Sequence, residues 1–302
     1  MLVQQIINGL TLGSVYALIA LGYTMVYGII QLINFAHGEI YMIGAYAGII
    51  SLGLLTLLGV PPSLLPVSIL VSFLAAGVVS AAYGVTVERL AYRPLRQAPR
   101  LSPLISAVGV SIFLQNFVML SQGAGDLVFP LTFPSEGISF LDARITTLQI
   151  FILAVSVLLM AALTLFINRT RMGTAMRATS QDRVMAGLVG INVDRVIAVT
   201  FAIGSLLAAV AGVLVGVYYG LVNFSIGYVA GLKAFTAAVL GGIGSVPGAM
   251  LGGVLLGLLE ALGAAYISSE YKDAFAFLVL IAVLIFRPQG LMGSADASGE
   301  KV

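Results

Sequence analysis

The sequence predicts an all-α polytopic membrane protein of about seven to eight transmembrane helices plus one glycine-broken, re-entrant half-helix pair. Three observations carry that prediction. Of 302 residues, 60% are hydrophobic and only 9% charged, where a soluble domain carries about 25% charged residues. The apolar residues fall in repeated runs of about 20, the length that crosses a hydrocarbon core at roughly 1.5 Å rise per residue. The 35 glycines show no three-residue period, which points to close helix packing. Gly-x-x-x-Gly recurs at Gly9/Gly13, Gly44/Gly48, Gly212/Gly216, Gly248/Gly252 and Gly253/Gly257, and each pair alone is a weak signal in so glycine-rich a chain.

Residues 6–30 form the first span. A second covers 40–58 and stops at Val60-Pro61-Pro62, since proline cannot continue a helix. The third, 64–87, leads into Arg89, Arg93, Arg96 and Arg100, and the positive-inside tendency makes that loop cytoplasmic. Span four, 101–120, precedes an outer segment, 121–145, with Asp126, Glu136 and Asp142 against Arg144. Span five is 147–167, span six 196–219, and a last apolar run covers 274–286 before Arg287-Pro288. The polar tail from 291 to 302 is flexible in composition, which leaves a single transmembrane domain over 1–290.

Parity constrains the remaining run, 233–265. If the arginine-rich loop at 169–195 and Arg287 share one side, an even number of crossings separates them. Spans six and seven supply two, so 233–265 contributes none or two. Gly241, Gly242, Gly244 and Pro247 interrupt helical continuity inside this run. Non-helical backbone at membrane depth needs protein or a water-filled cavity to satisfy it, so the expectation is two half-helices that enter and return on the outer side. The same parity puts the N-terminus outside.

Several chemistries are excluded. There is no cysteine, hence no disulfide, thiolate nucleophile or cysteine-based metal site. Residues 1–36 contain no Lys, Arg, His, Asp or Glu, so they lack the basic region of a signal peptide and are expected to remain. No Gly-x-x-x-x-Gly-Lys-Ser/Thr loop occurs, so this chain does not hold ATP in a P-loop. No nucleic-acid recognition motif accompanies the membrane-flanking arginines.

The one polar stretch, 168–195, has Arg169, Arg171, Arg177, Arg183 and Arg195 against Asp182 and Asp194. Ser180 is expected to cap a short helix with Asp182 in its first turn, and Gly190 to end it as a left-handed residue. Val184, Met185, Leu188 and Val189 then form an apolar stripe, either lying on this protein's own membrane face or filling a partner's groove.

Asn34, His37 and Glu39 sit between the first two spans and include the only histidine. Intramembrane ionisable groups signal function by default, so one reading is a broken helix lining or supporting a translocation path. The other, slightly preferred, is a cytoplasmic turn with Asn34 as cap and Glu39 complementing the helix dipole. His-x-Glu alone lacks the further ligands of a metal site. Glu260 either serves a proton relay, for which it has no charged partner at helical spacing, or is simply hydrated near the outer end of the re-entrant pair. Gln115 and Asn116 suit interhelical hydrogen bonds.

Residues 8–48, 93–116, 176–196 and 235–253 resemble the permease subunits of bacterial ABC importers for branched-chain amino acids, specifically the high-affinity Leu/Ile/Val system. The resemblance covers nearly the whole chain and implies a type II-like importer permease. It implies a second permease subunit, usually a paralogue, two cytoplasmic ABC ATPases that bind ATP-Mg, and a periplasmic substrate-binding protein. No cofactor is held by the permease itself. Residues 176–196 then correspond to the coupling helix, with Arg177, Asp182 and Arg183 orienting it, Val184 and Leu188 as anchor, and Gly187 and Gly190 shaping it. The broader importer consensus, Glu-Ala-Ala followed by glycine, is replaced here by Arg177-Ala178-Thr179. Permeases for urea and short amides are similar over the same stretches. A secondary transporter working alone through His37, Glu39 and Glu260 is the alternative of another class, and an intramembrane enzyme lacks a catalytic constellation.

Overall fold

The computed structural model describes residues 1–60, 64–99, 101–131, 133–134, 136–140 and 143–293. Pro61 and Pro62, Arg100, Asp142 and the tail from 294 lie outside the described residues, so their expected roles are not addressed. Eleven α-helices occur among the described residues: α1 (Leu2–Ile30), α2 (His37–Leu57), α3 (Leu65–Val87), α4 (Leu101–Gln122), α5 (Thr147–Arg169), α6 (Arg171–Gln181), α7 (Arg183–Leu188), α8 (Val193–Tyr219), α9 (Ile226–Gly241), α10 (Val246–Tyr266) and α11 (Lys272–Phe286). Seven of them, α1 to α5, α8 and α10, are long and apolar enough to cross a membrane, which makes this a multi-pass membrane protein.

The bundle has an inside and an outside. In α1, 89% of the apolar window is buried and in α8 72%, against 17% in α4 and in α5. Two central helices are therefore wrapped by others that leave apolar faces open. Small residues make the close contacts. A Cβ on Gly9 or Gly13 of α1 would press on the main chain of Leu258 or Val254 in α10, and one on Gly44 would meet Ala209 of α8. Without a hydrophobic driving force between helices in lipid, such backbone approach supplies the packing.

One end of the bundle carries two short antiparallel sheets. Strand β2 (Gly137–Phe140) pairs with β3 (Ala143–Thr146), and β1 (Leu127–Val128), after α4, pairs with β4 (Leu221–Val222), after α8. At this hairpin end Thr146 caps α5 by accepting from Gln149 N, while the Gln149 side chain closes the capping box. The opposite, basic end holds α6, α7 and the turn after α3, where five residues (Glu88–Tyr92) adopt π-helical geometry.

The broken pair departs from expectation. Its glycine turn does not face the hairpin end. Gly244 lies against Gly28, one residue before Ile29, whose carbonyl accepts from Arg183 of α7. The turn therefore belongs to the basic end, and α10, at 21 residues, runs back along α1 as a full-length helix. Within the pair only α9, 16 residues or about 24 Å, is short of a full crossing, and the expected last span folds as α11, of 15 residues, also below the spanning length. It starts part-way down the bundle, where Gly227 and Gly231 meet Gly38 of α2. Parity is met by two passages, because glycine contacts let the chain fold inward before α9 begins.

Ordered chain also continues beyond 290. The N–H groups of Leu291 and Met292 donate to the carbonyls of Leu240 and Gly241, each at 2.9 Å. Gly290 has φ +73° and lies against the main chain of Gly242, itself at φ +104°.

Candidate functional site

At the basic end the chain builds a rigid projection. Thr170 ends α5 and caps α6, accepting from Gly173 N at 3.0 Å. Helix α6 turns Gly173, Met176 and Thr179 inward. Asp182, with extended backbone, then caps α7 and accepts from Val184 N at 2.8 Å and Met185 N at 3.0 Å. The capping residue is therefore Asp182 rather than Ser180, whose hydroxyl donates back to the Arg177 carbonyl inside α6. The reason is local. Residues 171–181 are themselves helical, so Ser180 has no free amide turn to cap.

Helix α7 closes with a Schellman motif. Gly190 sits at φ +89°, its N–H donates to Gly187 O, and Ile191 N–H donates to Ala186 O. Only Ala186 of α7 is buried, while Val184, Met185, Leu188 and Val189 are 73%, 60%, 76% and 76% exposed. A Cβ on Gly187 would meet nothing within 4 Å. The apolar stripe is thus presented outward and is not covered by the described residues.

Arginines tie this projection down. Arg183 Nε donates to Ile29 O at 2.9 Å, and partial burial together with the nearby Arg96 charge lowers its pKa below the ordinary guanidinium value. Asp194, in the first turn of α8, is paired with Arg93 and Arg96, and Arg96 also reaches Glu88. Arg177 is exposed and donates to Asn168 and Thr174 of its own segment.

Asn34, His37 and Glu39 form a buried polar layer, 2%, 1% and 1% exposed. Asn34 accepts from Ala36 N and from the Tyr92 hydroxyl at 3.1 Å. It is not the cap of α2, a position held by Ala36 with no side-chain bond. His37 lies edge-on to Tyr23, with ring centroids 4.8 Å apart, in space left by Gly22. Glu39 Oε1 accepts from Ser111 Oγ at 3.2 Å, and Oε2 sits against Gly227 with no hydrogen-bond partner among the described residues. The solvated-turn reading fails here. Glycines at 22, 38, 204, 227 and 231 admit the start of α2 deep between α1, α8 and α9, away from water.

A second buried cluster was not expected. Lys233 Nζ of α9 donates to Glu260 Oε1 of α10 at 2.7 Å, lies 2.6 Å from Asp273 Oδ1 of α11 and 3.3 Å from the Tyr16 hydroxyl of α1. Tyr16 in turn donates to Glu260 Oε2 at 2.8 Å. Glu260 is 4% exposed, so it is paired and dry rather than hydrated. Asn116 is also reassigned: its amide donates to Ile112 O of its own helix.

A family model for the permease component of branched-chain amino acid transport systems matches residues 5–284. The chain belongs to this permease family. It is 54% identical to the high-affinity branched-chain amino acid transport system permease protein LivH of Salmonella typhimurium, over 99% of this chain and 97% of that protein. The same figures hold for BraD of Pseudomonas aeruginosa, described in the same words. A probable branched-chain amino acid transport permease of Methanocaldococcus jannaschii is 27% identical over 96% of this chain and 92% of its own. No solved structure matches.

Within the permease, the sequence-derived residues fall in three places. Arg177, Asp182, Arg183, Val184, Gly187, Leu188 and Gly190 share the projection of α6 and α7. Asn34, His37 and Glu39 share the buried layer. Gly241, Gly242, Gly244 and Pro247 form the turn between α9 and α10, where Ser245 caps α10 by accepting from Gly248 N at 3.2 Å. Tyr16, Lys233 and Asp273 were missed. Their available signal was charge: Lys233 is one of three lysines in the chain, and it lies in an apolar run 27 positions before an equally isolated Glu260.

Proposed function

We propose that this permease is the membrane subunit of an ABC importer that moves branched-chain amino acids across the bacterial cytoplasmic membrane. Residues 1–290 act as one transmembrane unit, paired with a second permease subunit, a paralogue in the manner its family resemblance implies. Two separate ATPases bind the basic end, and a periplasmic binding protein delivers solute at the hairpin end. The observation that carries the reading is α7: a short helix held by Asp182, the Schellman turn and Arg183, whose apolar stripe stands exposed among the described residues.

The arginine clusters flanking α3, α5 and α8 favour the cytoplasm for the basic end by the positive-inside rule. There α7 serves as coupling helix. Val184 and Leu188 supply the apolar anchor in a groove of the ATPase, and Arg177 orients the approach from the exposed face of α6. Asp182 acts indirectly by fixing α7. Arg183 passes displacement of α7 to the end of α1, the most buried helix, by its bond to Ile29. Glycine-mediated contacts at Asn34–Glu39 and at the turn 241–247 are where the halves yield, and the buried layer borders the path.

Reconstitution tests this. In proteoliposomes, labelled leucine should enter only when both ATPases, the second permease, the binding protein and ATP are present. Excess isoleucine or valine should compete, and urea or acetamide should not. Uptake by the single chain under an ion gradient would overturn the reading in favour of a secondary transporter.

A further inference from the structure

Between α3 and α8, at the basic end, a cleft of about 430 Å³ opens just below the point where Gly84 packs on Ser205. Its upper wall is apolar and formed partly by small residues, Val85, Ala198 and Ala202, while its rim carries Arg89, Arg93 and Arg195. The rim charges are not equivalent. Arg93 is paired with Asp194, whereas neither Arg89 nor Arg195 has a carboxylate within ion-pair distance among the described residues. Both are exposed. The two carboxylates at the rim, Glu88 and Asp194, already answer Arg93 and Arg96. An anion entering the cleft therefore meets two free guanidinium groups and no free carboxylate.

We infer that this cleft binds an anionic phospholipid, its phosphodiester held by Arg89 and Arg195 and one acyl chain lying along Val85, Ala198 and Ala202. Charge complementarity selects the headgroup, since guanidinium forks match phosphate oxygens. The apolar wall above the rim selects a lipid over a free anion, because the cleft changes from polar to apolar in the direction that leads from the helix ends along α3 and α8. The position suits this. Arg89 follows directly on the apolar helix Leu65–Val87, and Arg195 lies in the first turn of α8, where a headgroup meets a spanning helix. Basic recesses between membrane helices on the cytoplasmic side are recognised ways of holding such headgroups. Arg89 in the π-helical turn Glu88–Tyr92 and Arg93 just after it, four positions apart, share the rim.

Native mass spectrometry of the full-length protein, released from mixed phosphatidylglycerol and phosphatidylcholine of matched chains, tests the site. Phosphatidylglycerol should be retained preferentially. R89Q/R195Q should lower that preference about tenfold, R89K/R195K should keep most of it, and R287Q, a cation of the same end outside the cleft, should not change it. A202F, which fills the apolar wall and leaves every charge in place, should lower retention as the double glutamine variant does. An unchanged preference in R89Q/R195Q or in A202F would overturn the site. So would an equal loss in R287Q, or full displacement of the lipid by excess inorganic phosphate.

Discussion

Lys233 places an ammonium group where few water molecules reach, and its environment shows what makes that tolerable. Glu260 accepts from it, Asp273 lies beside it, and the Tyr16 hydroxyl closes the remaining side of Glu260. Buried pairs offer little net stabilisation against apolar replacements of similar volume, but removing one member is costly because the other is left alone. K233M is therefore expected to destabilise the protein by about 3 to 5 kcal/mol, read as a lower midpoint in circular-dichroism melts in detergent. K233M/E260M should recover most of that loss, since Asp273 is partly exposed and can remain hydrated. Glycines give a second contrast at this scale. A Cβ on Gly22 would overlap the His37 ring, so G22A should cost about 1 to 3 kcal/mol in the same melts.

Element by element, α7 is stabilised by its ends rather than by its face. Asp182 satisfies two amides at one end and Gly190 allows two reciprocal bonds at the other. D182A should thus weaken α7 by about 0.5 to 2 kcal/mol, seen as faster amide exchange over residues 183–189 with the global melt unchanged. V184D/L188D should leave exchange and melting alone, because both side chains are exposed, and should abolish ATPase co-purification. Much at this scale was legible in the sequence. Long uninterrupted apolar runs announced six of the seven helices long enough to span, and Gly190 announced the end of α7, whereas α10 read as a half-helix and the run at 274–286 folds as the 15-residue α11. Depth was not legible. The start of α2 and the whole of α9 have the composition of any spanning segment, and only the meeting of Gly38 with Gly227 and Gly231 places them inside the bundle. For the same reason the side of the turn at 241–247 was misread, and Glu260 was separated from its partners Tyr16 and Lys233 on two other helices. The direction of the α7 stripe was equally hidden, since helical periodicity is identical for a stripe facing inward or outward.

For the molecule as a whole, two kinds of helix divide the work. Full-length α1 and α8 form a buried axis, and the shorter α9 and α11 fill one side, joined to it by the Lys233 cluster and by the pairing of residues 291 and 292 with the turn after α9. The projection of α6 and α7 touches that axis at Arg183 and Ile29. In the proposed function a push on α7 would be delivered to α1 through this bond, and by the glycine contacts of α1 with α10 to the far end. Gly187 separates folding from this transmission. Its Cβ direction is open, and glycine inside a helix is less favourable than alanine by about 1 kcal/mol, so nothing among the described residues requires it. A close-fitting ATPase groove would. In the complete importer, G187W should leave membrane insertion, expression and the melting midpoint at wild-type values, while uptake of labelled leucine in proteoliposomes falls at least about tenfold, as for loss of about 1.4 kcal/mol or more of docking. G187A should retain most of the uptake, because one methyl group is more easily accommodated. Wild-type uptake by G187W would mean that α7 does not enter a fitted groove, and the drive from the ATPases would have to reach α1 by another surface.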